Sequence, residues 1–172
     1  MLKAADLLEA QTPNFIALAI REAGKSYANA IAELREAVDF LRYYARQVAE
    51  NFEIDTHPAI GPVVCISPWN FPLAIFLGQV SAALAAGNVV LAKPAEQTPL
   101  IASAAIDALH QAGIPKEVVQ LLPGEGDVGS TLVADRRIQG VMFTGSTTVA
   151  GIIADNLSQR LNTAGQPIPL IA

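Results

Sequence analysis

Residues 61–93 read GPVVCISPWNFPLAIFLGQVSAALAAGNVVLAK, and this stretch decides the fold. An apolar run over 63–66 predicts a strand, a turn fixed by two prolines leads into a predicted helix over 72–86, and a second apolar run over 88–93 predicts another strand. A membrane span needs about 20 apolar residues. The polar residues inside the stretch and the change of period at Gly87 favour a buried helix followed by a buried strand.

The same alternation continues along the rest of the sequence. Three more helices and three more strands are predicted, in the order helix 98–110, strand 118–122, helix 127–134, strand 138–143, helix 146–161 and strand 168–171. Strands that are apolar along their whole length are typical of parallel sheets covered on both faces. With right-handed crossovers, the sequence predicts an α/β fold with a Rossmann-like, doubly wound, mainly parallel five-stranded sheet. Ligands of such sheets bind at the carboxyl ends of the strands.

The residues before the sheet predict helices. Gly24 is typical of a helix C-terminus, and Ser26 is typical of the N-cap of the next helix. Glu33 lies off the apolar stripe of that second helix. We therefore predict an N-terminal helical segment over 1–56, which packs on the sheet as a scaffold without chemistry, and a Rossmann-like domain over 57–172.

Composition narrows the function classes. The 172 residues are 52% hydrophobic and 16% charged, and Asp+Glu 16 against Lys+Arg 11 give a net charge of −5. This apolar content excludes a disordered chain, and the acidic balance without a basic cluster argues against a nucleic-acid or anionic-membrane partner. No secretory leader precedes the helices, so we expect a cytoplasmic setting. The low charged fraction also predicts a surface that is covered in the native protein, and hence self-association of this chain.

The first two strand ends carry residues with a chemical use. The turn after the first strand places Asn70 at the mouth of the sheet, where its neutral amide can donate to an oxyanion; a helix-capping asparagine is the alternative. After the second strand, Lys93 and Glu96 can hold a ribose diol. The carboxylate would repel a 2′-phosphate, which favours NAD over NADP. A solvated surface ion pair is the alternative here.

The next two strand ends contain glycines. Residues 124–129 read GEGDVG, a dinucleotide-type pattern that normally follows the first strand. Here the pattern follows the third strand, so we interpret it as a flexible turn into a helix, with a position near an adenine as a further option. After the fourth strand, Gly145 permits close backbone approach, and Ser146 with the helix N-terminus behind it predicts a pyrophosphate site. An ordinary capping turn is the alternative.

Neither the cysteine nor the histidines predict a reactive site. Cys65 lies inside an apolar strand, which predicts a buried structural thiol, and a lone cysteine allows no internal disulfide. His57 and His110 lack the spacing of metal ligands. We therefore predict no metal site.

Three motifs carry a resemblance to a known family. Residues 68–72 (PWNFP), 93–99 (KPAEQTP) and 143–147 (FTGST), in this order and spacing, resemble the aldehyde dehydrogenase superfamily. The amino-acid sequences of 21–25, 61–72 and 168–172 are most similar to one branch of this superfamily. That branch oxidises L-glutamate γ-semialdehyde (Δ1-pyrroline-5-carboxylate) in bacterial proline metabolism. The resemblance implies NAD-dependent oxidation of an aldehyde through a cysteine thiohemiacetal, followed by hydrolysis of the thioester by a glutamate-activated water.

The resemblance also implies residue roles. Asn70 resembles the oxyanion-hole asparagine, and Phe71 resembles the aromatic wall of the aldehyde site. Lys93 and Glu96 resemble the ligands of the adenosine ribose, and Ser146 resembles the pyrophosphate contact. The other implied cofactor-binding positions are Ile66, Ser67, Pro68, Trp69, Gly126, Gly129, Gly145 and Val149.

The sequence departs from the family pattern in two respects. Many members carry Gly-x-x-x-x-Gly from the position of Gly145, whereas this chain has Ala150 followed by Gly151. Cys65 does not match the nucleophilic cysteine, and the general-base glutamate would follow Ala172. We therefore expect a truncated NAD-binding domain whose catalytic domain lies elsewhere in the same polypeptide, and no turnover by this chain alone. The alternatives are a non-catalytic nucleotide-binding or interaction module and a dehydrogenase for a different aldehyde.

Overall fold

Helices and strands alternate after an N-terminal run of helices. The computed structural model describes residues 1–53 and 55–172. The helices are α1 (Leu2–Ala10), α2 (Thr12–Ala23), α3 (Tyr27–Asn51), α4 (Ala74–Ala85), α5 (Pro99–Gln111), α6 (Gly126–Ala134) and α7 (Thr147–Ser158). The strands are β1 (Pro62–Ile66), β2 (Val89–Lys93), β3 (Val119–Leu121), β4 (Gly140–Phe143) and β5 (Leu170–Ile171).

The five strands form one parallel sheet in the order β3-β2-β1-β4-β5. The chain leaves β1 toward one edge of the sheet and later returns to the other side of β1 with β4. The predicted α/β class, with N-terminal helices before a five-stranded parallel sheet, is confirmed. The position between β1 and β4 is a topological switch point, the place where doubly wound sheets bind their ligands.

Alternate residues of β1 belong to two different cores. Val63 and Cys65 pack in a cluster with residues of α1 to α5, whereas Val64 packs with Val141 and with residues of α6 and α7. This alternation follows from the pleat of a strand, which sends successive side chains to opposite faces. The first cluster is continuous from the N-terminal helices into the sheet. The division of the chain into parts at residue 56 stays a prediction.

The two helix signals at Gly24 and Ser26 act as predicted. Gly24 ends α2 in the left-handed conformation with φ 63°, and the Ser26 hydroxyl accepts the Asn29 N–H at 3.2 Å. At the start of α5, Thr98 occupies the N-cap position, but among the described residues its buried hydroxyl has no hydrogen-bond partner. The carboxylate of Glu22 in α2 instead accepts the N–H groups of Leu100 and Ile101 at 2.9 and 2.7 Å.

Glu33 occupies a buried position although it lies off the apolar stripe of α3. It is 2% exposed, and its Oε1 accepts the backbone N–H groups of Leu73 and Ala74 at 2.8 and 3.2 Å. Its Oε2 lies 2.7 Å from the Lys25 ammonium. The backbone partners of Glu33 lie in a distant part of the chain, so the local pattern of α3 does not reveal its burial.

Elsewhere, the observed ends of helices and strands differ from the predicted ends by a few residues. The helix expected to run to Leu161 ends at Ser158, and Leu161 instead pairs with Pro167 in an isolated antiparallel bridge. The apolar stretch that imitates a membrane span divides into α4 and β2, as predicted. Across the described ranges, no helix has the length and apolar character needed to cross a bilayer.

Candidate functional site

The carboxyl ends of β2, β1 and β4 lie side by side at the switch point. Ile66 is in register with Lys93 on one side and with Phe143 on the other. The Ser67 N–H donates to the Lys93 carbonyl at 3.2 Å, and the Thr144 N–H donates to the Ile66 carbonyl at 3.0 Å. The loops that follow these three strands therefore start at one edge of the sheet.

A cavity of about 720 Å³ lies across these loops. Of the thirteen predicted site residues, all except Gly126 and Gly129 line it: Ile66, Ser67, Pro68, Trp69, Asn70, Phe71, Lys93, Glu96, Gly145, Ser146 and Val149. The structure thus brings residues from three separate motifs together around one space. Their individual roles stay predictions.

A second cavity, of about 340 Å³, continues from the first between α6 and α7. It is lined by the remaining two predicted residues, Gly126 and Gly129, and shares Lys93 and Val149 with the larger cavity. The glycine-rich turn after β3 therefore lies at the far end of one extended groove. Such a shape accommodates an elongated ligand with two ends of different chemistry.

The Asn70 amide is exposed at the mouth of the larger cavity. The Glu33 carboxylate caps α4 by accepting the N–H groups of Leu73 and Ala74. Among the described residues, the Asn70 side chain makes no hydrogen bond. The capping alternative for Asn70 is therefore wrong. Its neighbour Phe71 is 40% exposed, and the Lys25 ammonium lies 3.9 Å from the centroid of the Phe71 ring.

Lys93 is a buried cation beside an exposed carboxylate. It is 4% exposed, and its ammonium donates to the Pro94 carbonyl at 3.1 Å. Burial lowers the pKa of Lys93 from its ordinary value, and the nearby carboxylates of Glu96 and Asp127 act in the opposite direction. Glu96 is exposed and accepts from the Gln97 amide at 3.0 Å. Because Lys93 is buried, the alternative of a solvated surface ion pair is wrong.

The turn after β4 has two features: Ser146 caps α7, and Gly145 lies close to the ring of Phe143. The Ser146 hydroxyl accepts the Val149 N–H at 3.3 Å, so Ser146 does cap α7, and its own hydrogen remains available to donate toward the groove. A methyl group added at Gly145 would lie 2.5 Å from Cζ of Phe143. A side chain at this position would therefore displace the Phe143 ring.

The groove has the features that a dinucleotide would use. The Ser67 hydroxyl is buried and has no hydrogen-bond partner among the described residues. The buried Lys93 ammonium has capacity for further acceptors beyond the Pro94 carbonyl. The first turn of α7, behind Ser146, presents backbone N–H groups that favour an anion. A ribose and a pyrophosphate would satisfy these groups, so the residues fit NAD.

Sequence reasoning missed some residues that shape the groove. The buried Gln79 of α4 donates to the Ile66 carbonyl at 3.3 Å and to the Thr144 hydroxyl at 3.0 Å, which ties two of the loops together. Ile152, Ile153 and Asn156 line the smaller cavity. Their spacing of three, four and seven residues from Val149 marks one face of α7, and this signal could have identified them.

Cys65 lies outside both cavities and is fully buried in β1. Burial raises the pKa of the Cys65 thiol to about 12, so the thiol is protonated at neutral pH. The prediction of a buried thiol is confirmed.

The fold and the three strand-end loops are those of a known family. The family model for the aldehyde dehydrogenase family matches residues 1–165, and the chain belongs to this family. The bifunctional protein PutA of Escherichia coli (strain K12) is 63% identical over 171 residues, which are 99% of this chain and 13% of that protein.

Solved structures give the same result. A structure of proline utilization A (PutA) with proline bound in remote sites matches with a TM-score of 0.92 and 50% identity, covering 99% of this chain and 19% of that chain. The 1-pyrroline-5-carboxylate dehydrogenase from Thermus with bound NAD matches with a TM-score of 0.88 and 36% identity, covering 99% of this chain and 36% of that chain. This chain therefore spans only a part of its relatives.

Proposed function

We propose that this chain is the NAD-binding part of an aldehyde dehydrogenase that oxidises L-glutamate γ-semialdehyde to glutamate. The observation that carries the proposal is the convergence of three strand-end motifs on one groove at the switch point between β1 and β4. The relatives named PutA and 1-pyrroline-5-carboxylate dehydrogenase support the substrate, and the Thermus structure with bound NAD supports the cofactor.

Different residues of the groove bind different parts of the cofactor. Lys93 and Glu96 hold the adenosine ribose, since a buried ammonium and an exposed carboxylate at neighbouring positions can donate to and accept from a diol. Ser146 and the first turn of α7 hold the pyrophosphate. Gly126 and Gly129 leave room for the adenine between α6 and α7. When bound, NAD supplies the acceptor for the hydride.

Asn70 and Phe71 act on the aldehyde. Nucleophilic addition builds negative charge on the aldehyde oxygen, and the uncharged Asn70 amide donates to that oxygen as the charge develops. Phe71 forms an apolar wall of the same space. The nucleophile comes from another part of the same polypeptide, because the lone cysteine of this chain, Cys65, is buried in β1 with a protonated thiol. The general-base glutamate that the family resemblance implies completes the site from that other part. This chain alone is therefore inactive.

The first test is a calorimetric titration of this chain with NAD and then with NADP. We expect saturable binding of NAD and weaker binding of NADP, because the Glu96 carboxylate repels a 2′-phosphate. Absence of NAD binding by a chain shown to be folded by circular dichroism would contradict the proposed cofactor site and would favour a non-catalytic interaction module.

A second test addresses the enzyme to which this chain contributes. The matching segment of the Escherichia coli PutA is replaced by this chain, and the oxidation of glutamate γ-semialdehyde by the chimeric protein is followed as NADH formation. We expect activity, and we expect the substitution Asn70→Ala to lower kcat by about 100-fold or more, which is the usual cost of removing one oxyanion donor. A folded chimera without activity would contradict the proposed function.

A further inference from the structure

Two helices that pack on the sheet, α4 and α5, begin directly behind the candidate site. Side chains of the N-terminal helices α2 and α3 bind the first turns of both. The Glu33 carboxylate, from α3, accepts the N–H groups of Leu73 and Ala74 at the start of α4. The Glu22 carboxylate, from α2, accepts the N–H groups of Leu100 and Ile101 at the start of α5.

The two contacts share one design. In each, a proline precedes a leucine, in Pro72-Leu73-Ala74 and in Pro99-Leu100-Ile101, and the two N–H groups after the proline donate to one carboxylate from the N-terminal helices. These N–H groups belong to the first turn, where a helix lacks internal acceptors and favours negative charge. The carboxylates thus replace the side-chain caps that neither helix obtains from its own N-cap residue within the described chain.

Each held helix begins a few residues after one of the site motifs. The α4 start follows Trp69, Asn70 and Phe71, and the α5 start follows Lys93 and Glu96. At the first of these, Lys25 strengthens the contact, since its ammonium lies 2.7 Å from Glu33 and 3.9 Å from the centroid of the Phe71 ring. The two loops are therefore fixed from behind by different carboxylates.

We propose that Glu33 is a positioning residue for Asn70 and that Glu22 is a positioning residue for Glu96 and Lys93. The proposal rests on the proposed function, because the site that they position is the aldehyde and NAD site of that function. Neither carboxylate touches the groove itself. Each acts through the helix start that it holds, so the two should affect different kinetic parameters.

The test uses the chimeric PutA that carries this chain, with Glu33→Ala and Glu22→Ala as a matched pair. Each substitution removes one carboxylate and two hydrogen bonds to a helix start, so each is the control for the other in these respects. Glu33→Ala also removes the partner of the Lys25 ammonium. We expect Glu33→Ala to lower kcat about tenfold with the KM for NAD unchanged within about twofold, since a displaced oxyanion donor loses part of its effect. We expect Glu22→Ala to raise the KM for NAD about tenfold with kcat unchanged within about twofold.

Two further variants separate positioning from a general loss of structure. Glu33→Gln retains the oxygen that accepts both N–H groups but loses the ion pair with Lys25, so kcat should recover only in part, to a value between those of the alanine variant and the unsubstituted chimera. Glu22 uses both of its oxygens, so Glu22→Gln keeps one bond and should recover only part of the affinity for NAD. If the alanine variants do not fold, the glutamine pair decides the question: Glu33→Gln should lower kcat with an unchanged KM for NAD, and Glu22→Gln should raise the KM for NAD with an unchanged kcat. Equal changes of both parameters in this pair, or no change in either, would overturn the proposal.

A double variant tests whether Glu33 acts through Asn70. In a chimera that already carries Asn70→Ala, the substitution Glu33→Ala should change kcat less than twofold, because coupled residues are not additive. An equal loss of kcat in both backgrounds would overturn the proposal, and so would equal changes of kcat and KM in the matched pair or no change in either. An inactive unsubstituted chimera would instead contradict the proposed function, so the two failures are distinguishable.

Discussion

Glu96 is the residue on which the choice of cofactor depends, because it is an exposed carboxylate at the edge of the larger cavity. We expect Glu96→Ala to weaken NAD binding about tenfold, which corresponds to the loss of one good hydrogen bond. NADP binding should change less or improve, because the repelling charge is removed. Calorimetric titration of the unsubstituted chain and of Glu96→Ala, each with NAD and with NADP, measures these changes in affinity.

The control for Glu96 is Glu117→Ala, which removes an exposed carboxylate just before β3, outside both cavities. The two variants have the same net charge, so a general electrostatic effect would change their affinities alike. Equal affinities of Glu96→Ala and Glu117→Ala for NAD would show that Glu96 does not contact the ribose.

Cys65 makes stability depend on pH in the alkaline range. Burial raises the pKa of its thiol to about 12 in the folded chain, against an ordinary value of 9.0. Its stabilising contribution is therefore fully present below pH 9 and is lost as the pH rises toward 12, by about 1.4 kcal/mol for each pH unit. Urea unfolding of the chain at pH 8, 9 and 10 should show this slope.

Cys65→Ala removes the titrating thiol, so the difference in the free energy of unfolding between this variant and the unsubstituted chain should shrink as the pH rises from 9. A difference that stays constant from pH 8 to pH 10 would mean that the thiol ionises equally easily in both states. Alkylation of Cys65 by iodoacetamide should likewise require unfolding, because only the thiolate reacts.

At the scale of single elements, α7 and the turn before it contain two glycines in opposite surroundings. A methyl group at Gly151 would meet nothing within 4 Å among the described residues, whereas one at Gly145, just before the helix, would lie 2.5 Å from Phe143. We expect Gly151→Ala to raise the free energy of unfolding by about 0.5–1 kcal/mol, because alanine favours a helix interior. Gly145→Ala should lower it by about 1–3 kcal/mol as the buried ring is displaced.

Thermal unfolding of the two variants measures both effects, and calorimetry shows whether they extend to the groove. NAD affinity should fall for Gly145→Ala, since Phe143 lines both cavities, and should be unchanged for Gly151→Ala. A destabilised Gly151→Ala would mean that α7 is packed against another surface at this position. Neither Ala150 nor Gly151 lines either cavity, so the shift of the second family glycine by one position leaves the lining of the groove unchanged.

The elements themselves could be predicted from the sequence because their signals are local. Proline and glycine positions, the apolar runs of the strands and the Ser26 cap lie within a few residues of the structure that they specify. The contacts of Glu22 and Glu33 could not be predicted in this way, since their partners are Ile101 and Leu73 in distant elements. The same holds for Gln79, whose hydrogen bonds join two loops that only the sheet brings together.

At the scale of the whole molecule, one face of the sheet carries an open apolar surface beside β4 and β5. A groove of about 160 Å³ lies there between α4 and these strands, and Ile60 and Ile171 at its edge are 46% and 63% exposed. Apolar grooves of this kind favour association. We therefore expect this chain to self-associate, with an apparent mass in light scattering that rises with concentration.

Ile171→Lys places a charge at this groove and should reduce the association, whereas Leu2→Lys changes a residue of similar exposure, 58%, on α1 and should not. A mass that stays at that of one chain over a wide concentration range would contradict the expectation. Equal reduction by both variants would place the associating surface elsewhere.

The strand order also has a consequence for the newly made chain as it leaves the ribosome. β1 finds β2 on one side soon after both are synthesised, but its other side must wait for β4, which is made only after β2, α5, β3 and α6. During that interval the centre of the final sheet is an open edge with unpaired backbone groups, a template for wrong pairing with other chains. Slow translation through residues 94–139 would lengthen this exposure, and a chaperone that covers β1 would be most useful there.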